Sequence, residues 1–124
     1  MELWHVALQI KDIREVENFY EKLLGFEVQY EFEIDSETAH QIFGVDKPLQ
    51  VVKMQKDNLF VELFVDSQPL EMRYQHLCIA VDDPGKLAEQ CSKRGYQVIS
   101  KERERGMLYF IKDATGNMFE LKQQ

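Results

Sequence analysis

The same short stretch of sequence occurs twice in this chain. The stretches "HVALQIKD" (residues 5–12) and "HLCIAVDD" (residues 76–83) align without a gap, so that His5 falls on His76 and Asp12 on Asp83. In both, apolar residues alternate with other residues after the histidine, and this period of two is typical of a strand with one buried face. The repetition indicates a protein built from two similar halves.

Each of these strands leads into a predicted helix. Asp12 is placed to cap the first helix, with Glu15 closing a capping box, and apolar residues then recur at helical spacing up to a glycine terminator at Gly25. Asp83 is placed to cap the second helix, whose first turn carries a proline and which ends near a glycine. Both halves therefore begin with a strand followed by a helix.

Three more strands are predicted in each half. In the first half, residues 26–34 alternate apolar and polar side chains, which predicts a strand whose buried face carries Phe26, Val28, Tyr30, Phe32 and Ile34. The stretches "LQVVKMQ" and "NLFVELFVD" follow, separated by a turn at residues 56–58, and the segment 35–44 is a polar connection with room for a short helix. In the second half the strands are "YQVISKE", "MLYFIKD" and "NMFELK", the last entered through the turn "DATGN". Each half therefore has the order β-α-β-β-β, and the predicted fold class is α+β.

Composition narrows the range of functions. The chain has 124 residues and a net charge of −7, with both signs interspersed, which argues against a nucleic-acid surface and leaves a small-molecule substrate open. No apolar run approaches the roughly 20 residues of a membrane helix, and the first residues do not have the pattern of a signal peptide. The two cysteines make a poor disulfide framework, so we expect a cytoplasmic protein.

These motifs together resemble the vicinal oxygen chelate superfamily, which includes glyoxalase I, methylmalonyl-CoA epimerase and the bleomycin-resistance proteins. The resemblance rests on "HVALQIKDIREVENFYEKLLGFEV", on the second histidine strand and on the closing "DATGNMFEL". It implies one domain over residues 1–124, built of two modules at about 1–66 and 74–124 that form a curled mixed sheet around a shared cleft. It also implies a homodimer, and apolar side chains such as Trp4, Val6 and Leu8 are expected to be covered by helices or by the partner.

The resemblance further implies a metal centre with one ligand from the first strand and one from the last strand of each module. The residues at these positions are His5, Glu62, His76 and Glu120. Glu62 and Glu120 each alternate with bulky apolar neighbours, so their side chains are predicted on the opposite strand face, directed inward. Two imidazoles and two carboxylates suit Zn²⁺, Ni²⁺, Co²⁺, Mn²⁺ or Fe²⁺. Without a cation, two facing carboxylates would repel, and the pKa of one of them should be raised.

A divalent cation with open positions favours proton abstraction next to a substrate carbonyl. In the glyoxalases that the chain resembles, the last-strand glutamate is the expected proton carrier, which here is Glu120, and Glu62 is the second candidate. The predicted activity is therefore that of a glyoxalase-like lyase or isomerase acting on a small substrate with vicinal oxygens. Two alternatives stay open: an extradiol-type Fe²⁺ dioxygenase using His5, His76 and Glu120, and a non-catalytic protein that sequesters a small molecule.

Four other residues bear on the site. Glyoxalases that handle glutathione have an arginine on the first strand, where this chain has Gln9, and this departure argues against a glutathione substrate. Cys78 lies on the same predicted strand face as His76, but a small thiol there is expected to be part of the core. His40 is predicted to be solvated, and Lys122 is interpreted as a lysine at the rim of the cleft.

Overall fold

The chain forms two compact units, each with its own four-stranded sheet. The computed structural model describes residues 1–124 and divides them into unit 1, Met1–Pro69, and unit 2, Leu70–Gln124. Both sheets are mixed, because one parallel pair is combined with two antiparallel pairs. The predicted α+β class with two β-α-β-β-β modules is confirmed, with one additional helix in unit 1. None of the helices is long and apolar enough to span a membrane.

Unit 1 has the strand order β1-β4-β3-β2. In chain order its elements are β1 (Val6–Ile10), the helix π1 (Val16–Glu21), β2 (Glu27–Ile34), the helix α1 (Ser36–Phe43), β3 (Leu49–Lys56) and β4 (Leu59–Val65). The parallel pairing of β1 with β4 places Ala7 opposite Glu62, and β3 lies antiparallel to β4 on its other side. The first and last strands of the unit are therefore neighbours.

Unit 2 repeats this arrangement with the strand order β5-β8-β7-β6. Its elements are β5 (Leu77–Val81), the helix α2 (Pro84–Lys93), β6 (Val98–Lys101), β7 (Leu108–Lys112) and β8 (Met118–Gln123). The parallel pairing of β5 with β8 places Cys78 opposite Glu120. Because β1 and β5 carry the repeated stretch, the same position of the repeat, Ala7 in β1 and Cys78 in β5, lies opposite a glutamate of the last strand in both units.

The helix caps follow the sequence closely in unit 2 and less closely in unit 1. The Asp83 carboxylate accepts a hydrogen bond from the backbone N–H of Lys86 (3.0 Å), as an N-cap should. The Asp12 carboxylate instead accepts from the backbone N–H of Arg14 (2.9 Å) and from its guanidinium. These bonds hold the pKa of Asp12 down at about 2. An aspartate thus accepts a backbone hydrogen bond at the start of the helical segment in each unit, from Arg14 in unit 1 and from Lys86 in unit 2.

The first helix of unit 1 is a π-helix, whereas the apolar spacing predicted an ordinary α-helix. The backbone N–H of Lys22 donates to the carbonyl of Glu17, and that of Leu24 donates to Phe19, both across five residues. This wider turn keeps Phe19 and Tyr20 fully buried, with their rings 5.2 Å apart in an edge-on contact. Gly25 ends the segment with a positive φ of 76°, as expected of its position.

The prediction of a buried apolar face on β2 is wrong at Val28 and Tyr30, whereas Phe26, just before the strand, is buried and Phe32 and Ile34 are half-buried. Tyr30 is 53% exposed and Val28 is 39% exposed. Two causes are visible: β2 lies at the edge of its sheet, and the register shifts between Val28 and Tyr30. A β-bulge of this kind moves residues on its two sides to opposite faces of the strand. The alternation in the sequence is therefore interrupted in the fold.

The core of unit 1 should depend on the central strand β4. Leu63 is fully buried there, so Leu63→Ala should lower the free energy of unfolding by about 2–5 kcal/mol through lost contacts and a cavity. Ile42→Ala is the matched control, because Ile42 is 65% exposed and its truncation should change the free energy by less than about 0.5 kcal/mol. Urea unfolding followed by circular dichroism measures both. Equal effects would show that β4 is not the centre of this core.

Candidate metal centre

In both units, a histidine that precedes the first strand meets a glutamate of the last strand. Nε2 of His5 lies 3.2 Å from Oε1 of Glu62 in unit 1, and Nε2 of His76 lies 3.4 Å from Oε2 of Glu120 in unit 2. The cause is the parallel register, which places the glutamate opposite the residue two positions after the histidine. Side chains two residues apart on a strand share a face, so the imidazole and carboxylate meet.

The two pairs have similar access to solvent. The histidine side chains are 39% and 35% exposed, while the glutamate side chains are 15% and 19% exposed. Each glutamate therefore lies deeper than its histidine, between buried neighbours on the same strand: Val61 and Leu63 in unit 1, and Phe119 and Leu121 in unit 2. The four predicted ligands thus form two equivalent pairs, one in each unit.

The donor set and the distances within each pair fit a divalent cation. Two ligand atoms that each lie about 2.1 Å from one ion, at a tetrahedral or octahedral angle, are about 3.0–3.4 Å apart. Both His–Glu distances lie in this range. No group of three or more His, Cys, Asp and Glu side chains in the structure could hold a metal ion. The centre with four ligands therefore remains a prediction, and each unit contributes two candidate ligands.

The hydrogen bonding of His76 favours a ligand role. Its Nδ1 lies 2.7 Å from the carbonyl oxygen of Tyr74, which can only accept, so Nδ1 carries the proton that is donated. In neutral imidazole, Nε2 then has a lone pair directed at the Glu120 carboxylate, which has only acceptors. A proton or a cation between the two groups would relieve this contact. Metal-ligating histidines commonly donate their other ring N–H to a backbone carbonyl in this way.

Unit 2 contains a lysine whose role differs from the predicted one. Nζ of Lys122 lies 3.0 Å from Oε1 of Glu120, so this lysine is an ion-pair partner of the candidate ligand. The pKa of Glu120 is lowered, chiefly because Lys122 donates this hydrogen bond and further because of His76. The raised glutamate pKa expected for an empty site is thus not what Glu120 shows. The period-two pattern places Glu120 and Lys122 on one face of the strand. It does not reveal that the two side chains form an ion pair.

Two further expectations about single residues can be compared with the structure. Cys78 is exposed, and the prediction of a core thiol is wrong because the residue lies on the face of Glu120, opposite the face of the sheet that packs in the core. His40 is exposed as predicted, and its Nδ1 lies 2.5 Å from a carboxylate oxygen of Asp46. Neither residue belongs to a His–Glu pair.

Gln9, the residue at the position of the glutathione-associated arginine, is held by unit 1 itself. Its side-chain amide donates to the backbone carbonyls of Asp66 (3.0 Å) and Gln68 (2.8 Å). These bonds join β1 to the segment that follows β4, its parallel neighbour in the sheet. Gln9 therefore has a structural task that an arginine contacting substrate would not have.

Lys53 was not considered from the sequence, although it lies directly beside a candidate ligand. The register of β3 and β4 pairs it with Glu62, and its Nζ lies 5.6 Å from the ring centre of Phe60 and 5.9 Å from that of Tyr30. The sequence could have predicted that Lys53 pairs with Glu62, because the turn at residues 56–58 sets the register between "LQVVKMQ" and "NLFVELFVD".

Comparison with known proteins identifies the family. The model of the Glyoxalase/Bleomycin resistance protein/Dioxygenase superfamily matches residues 2–121, so the chain belongs to this superfamily. Among curated proteins, no sequence match is found.

Solved structures of this superfamily have the same fold at low sequence identity. A glyoxalase family protein from Enterococcus faecalis is 21% identical, with a TM-score of 0.71 over 97% of this chain and 95% of its own. Glyoxalase I from Leishmania major, described as trypanothione-dependent, is 19% identical, with a TM-score of 0.72 over 99% and 86%. A variant of the fosfomycin resistance protein FosX from Listeria monocytogenes, complexed with Mn(II) and dihydroxypropylphosphonic acid, is 15% identical, with a TM-score of 0.77 over 99% and 92%. These likenesses establish the fold.

Proposed function

We propose that this protein is a metal-dependent enzyme of the glyoxalase type, a lyase or isomerase that moves a proton next to a carbonyl of a small substrate with vicinal oxygens. The observation that carries the proposal is the repeated His–Glu pair, with nearly equal distances of 3.2 and 3.4 Å in the two units. A single His–Glu pair of this kind would be an ordinary surface ion pair. Its recurrence at the same position of a duplicated fold favours a shared ligand role.

In the proposed centre, His5, Glu62, His76 and Glu120 hold one divalent cation, whether Zn²⁺, Ni²⁺, Co²⁺, Mn²⁺ or Fe²⁺. The proposal treats both units as modules of a single domain, at about 1–66 and 74–124, whose sheets share one cleft. When bound, such a cation stabilises the negative charge that develops on a substrate oxygen as the neighbouring carbon loses a proton. The Mn(II) bound to the FosX variant supports a metal role for this fold.

The chain's own groups carry the proton in this proposal. The Glu120 carboxylate takes it from the substrate carbon and returns it to a neighbouring atom, and Glu62 is the second candidate for this task. His76 holds its orientation through the hydrogen bond from Nδ1 to the Tyr74 carbonyl, which keeps Nε2 directed at Glu120. Because the amide of Gln9 is already engaged with unit 1, the substrate is proposed not to be a glutathione adduct.

Two other functions of this superfamily remain candidates. An extradiol-type Fe²⁺ dioxygenase would use His5, His76 and Glu120, and Glu62 would have no assigned task. A binding protein that sequesters a small molecule would need no metal. Metal content separates the binding protein from both enzymes, and oxygen uptake separates the dioxygenase from the lyase or isomerase.

The metal proposal can be tested by elemental analysis of the purified protein after reconstitution with each candidate ion. We expect about one ion per chain in the wild type. His76→Ala should weaken binding by at least about a hundredfold while the fold is retained, because a lost ligand costs more than a lost outer partner of a ligand. His40→Ala is the matched control, since His40 lies outside both His–Glu pairs. A wild type without metal, or equal losses in the two variants, would contradict the proposal.

The proton-carrier role predicts a different behaviour for Glu120→Gln. An amide keeps an oxygen ligand but cannot accept a proton at neutral pH, so this variant should retain the ion and lose activity by a factor of about 10²–10⁴. The measurement is exchange of carbon-bound hydrogen of hydroxyacetone for deuterium, followed by NMR. Glu62→Gln is the matched comparison. If only Glu62→Gln loses exchange, Glu62 is the proton carrier.

We further propose a homodimer in the cytoplasm. Large apolar side chains remain exposed, among them Tyr74 at 75%, Phe43 at 50% and Met107 at 43%, and a partner subunit would cover some of them. Val6 and Leu8, which were expected to need the same cover, are only partly exposed. The cytoplasmic location is supported by two free cysteines, which a reducing compartment preserves.

Light scattering at micromolar protein concentration measures the oligomeric state. We expect about twice the 14.7 kDa mass of the chain. Because apolar contacts are insensitive to screening, the dimer should persist at high salt. A mass equal to that of one chain would contradict the dimer.

A further inference from the structure

Unit 1 presents a cation on the same sheet face as its His–Glu pair. Lys53 lies in the middle of β3, directly opposite Glu62 on β4. Directly opposed residues of antiparallel strands have Cβ atoms about 4.5–5.5 Å apart, so the two side chains start as neighbours. The Lys53 ammonium nevertheless makes no ion pair. Its Nζ lies over the rings of Phe60 and Tyr30, 5.6 and 5.9 Å from the ring centres. Both distances lie within the limit of about 6 Å for a cation–π contact.

The fold itself does not require a lysine at this position. The residue opposite the glutamate in unit 2 is Phe110, so an apolar side chain serves the same sheet position there. The cation of unit 2 is Lys122, which lies on the same strand as Glu120 and is paired with it at 3.0 Å. Its counterpart in unit 1, two residues after Glu62, is Phe64. The two units have therefore placed their cations differently, and only Lys122 is neutralised by the glutamate.

Lys53 also lines an open pocket that belongs entirely to unit 1. The pocket has a volume of about 510 Å³, and its lining residues are Glu2, Leu3, Trp4, Lys53, Asn58 and Phe60. This volume lies within the usual range for small-molecule sites, roughly 300–1,000 Å³. Trp4 and Phe60 supply flat apolar surface, and Lys53 supplies the positive charge. Glu2 is exposed, so its negative charge is largely screened by solvent.

We infer that Lys53 is a specificity-determining residue that binds the anionic group of the substrate, a carboxylate or phosphonate, while Trp4 and Phe60 hold a flat apolar body. The substrate class is then a small aromatic or unsaturated anion. Because the Lys53 ammonium makes no ion pair, an anion that binds there does not have to displace a carboxylate. The inference rests on the proposed function insofar as the reacting atoms are placed beside His5 and Glu62.

The test uses benzoate as the probe, its neutral analogue benzamide as the matched ligand, and metal-free protein. Trp4 is the only tryptophan in the chain, so its indole N–H gives one isolated NMR signal inside the pocket. We expect benzoate to shift this signal saturably and benzamide to bind about three- to tenfold more weakly, as the loss of one partly exposed charge interaction implies. Benzoate should also weaken at high salt.

Variants then assign the effect to Lys53. Lys53→Gln should weaken benzoate about three- to tenfold and leave benzamide unchanged, whereas Lys53→Arg should restore most of the affinity. Lys56→Gln is the matched control, because Lys56 lies three residues further along β3, on the opposite face of the strand.

Three results would overturn the inference: no saturable shift of the Trp4 signal, equal affinity for benzoate and benzamide, or equal effects of Lys53→Gln and Lys56→Gln. Phenylphosphonate in place of benzoate shows which anion is preferred. Because these titrations use metal-free protein, their results are independent of the elemental analysis, and the two proposals can fail separately.

Discussion

The site depends on the parallel pairing of the first and last strand within each unit. This pairing places the glutamate of the last strand opposite the residue that follows the histidine by two positions. A shift of one residue would turn the glutamate to the other face of the sheet, away from the imidazole. Since parallel neighbours need a long crossover connection, the whole of each unit lies between its two candidate ligands. The His–Glu distance is thus fixed by the fold of the entire unit.

The register of the last strand is fixed locally by the turn before it, and the two units achieve this differently. In unit 2, the buried Asp113 carboxylate accepts hydrogen bonds from the backbone N–H groups of Thr115, Gly116 and Asn117, and from the Asn117 side chain. In unit 1 the turn between β3 and β4 is shorter, and Asp57 adopts a positive φ of 52°. After either turn, the glutamate of the last strand, Glu62 or Glu120, lies opposite the residue two positions after its histidine. Different turns are therefore compatible with the same His–Glu pair.

The sequence predicts the parts of the fold that depend on periodicity and turn chemistry. The repeated stretches gave β1 and β5, Asp83 gave the start of α2, and Gly25 gave the end of the first helix. The errors lie where tertiary structure overrides the local pattern. Tyr30 is exposed next to the register shift in β2, and the first helix, which buries Phe19 and Tyr20, is a π-helix, a difference that apolar spacing does not reveal.

The two His–Glu pairs contain residues that the sequence singles out as candidate ligands, whereas their surroundings were not predictable from single strands. His5, Glu62, His76 and Glu120 follow from the family resemblance, and their pairing follows from the strand order. The exposure of Cys78, the ion pair of Lys122 and the position of Lys53 depend on which neighbours cross-strand register brings together. Register is a long-range property, and a single strand's pattern gives only the face of each residue.

Duplication by itself would make the two His–Glu pairs equivalent, yet a small substrate has two different ends. The two units of this protein keep the His–Glu pair and differ around it: Lys53 against Phe110 opposite the glutamate, and Phe64 against Lys122 two residues after it. Because the cation of unit 2 is paired with its glutamate and that of unit 1 is not, the two surroundings are not equivalent, and under the proposal for Lys53 this difference would select the direction in which an anion binds. Under the two proposals, the shared residues would supply the chemistry, and the residues that differ would set the orientation of the substrate.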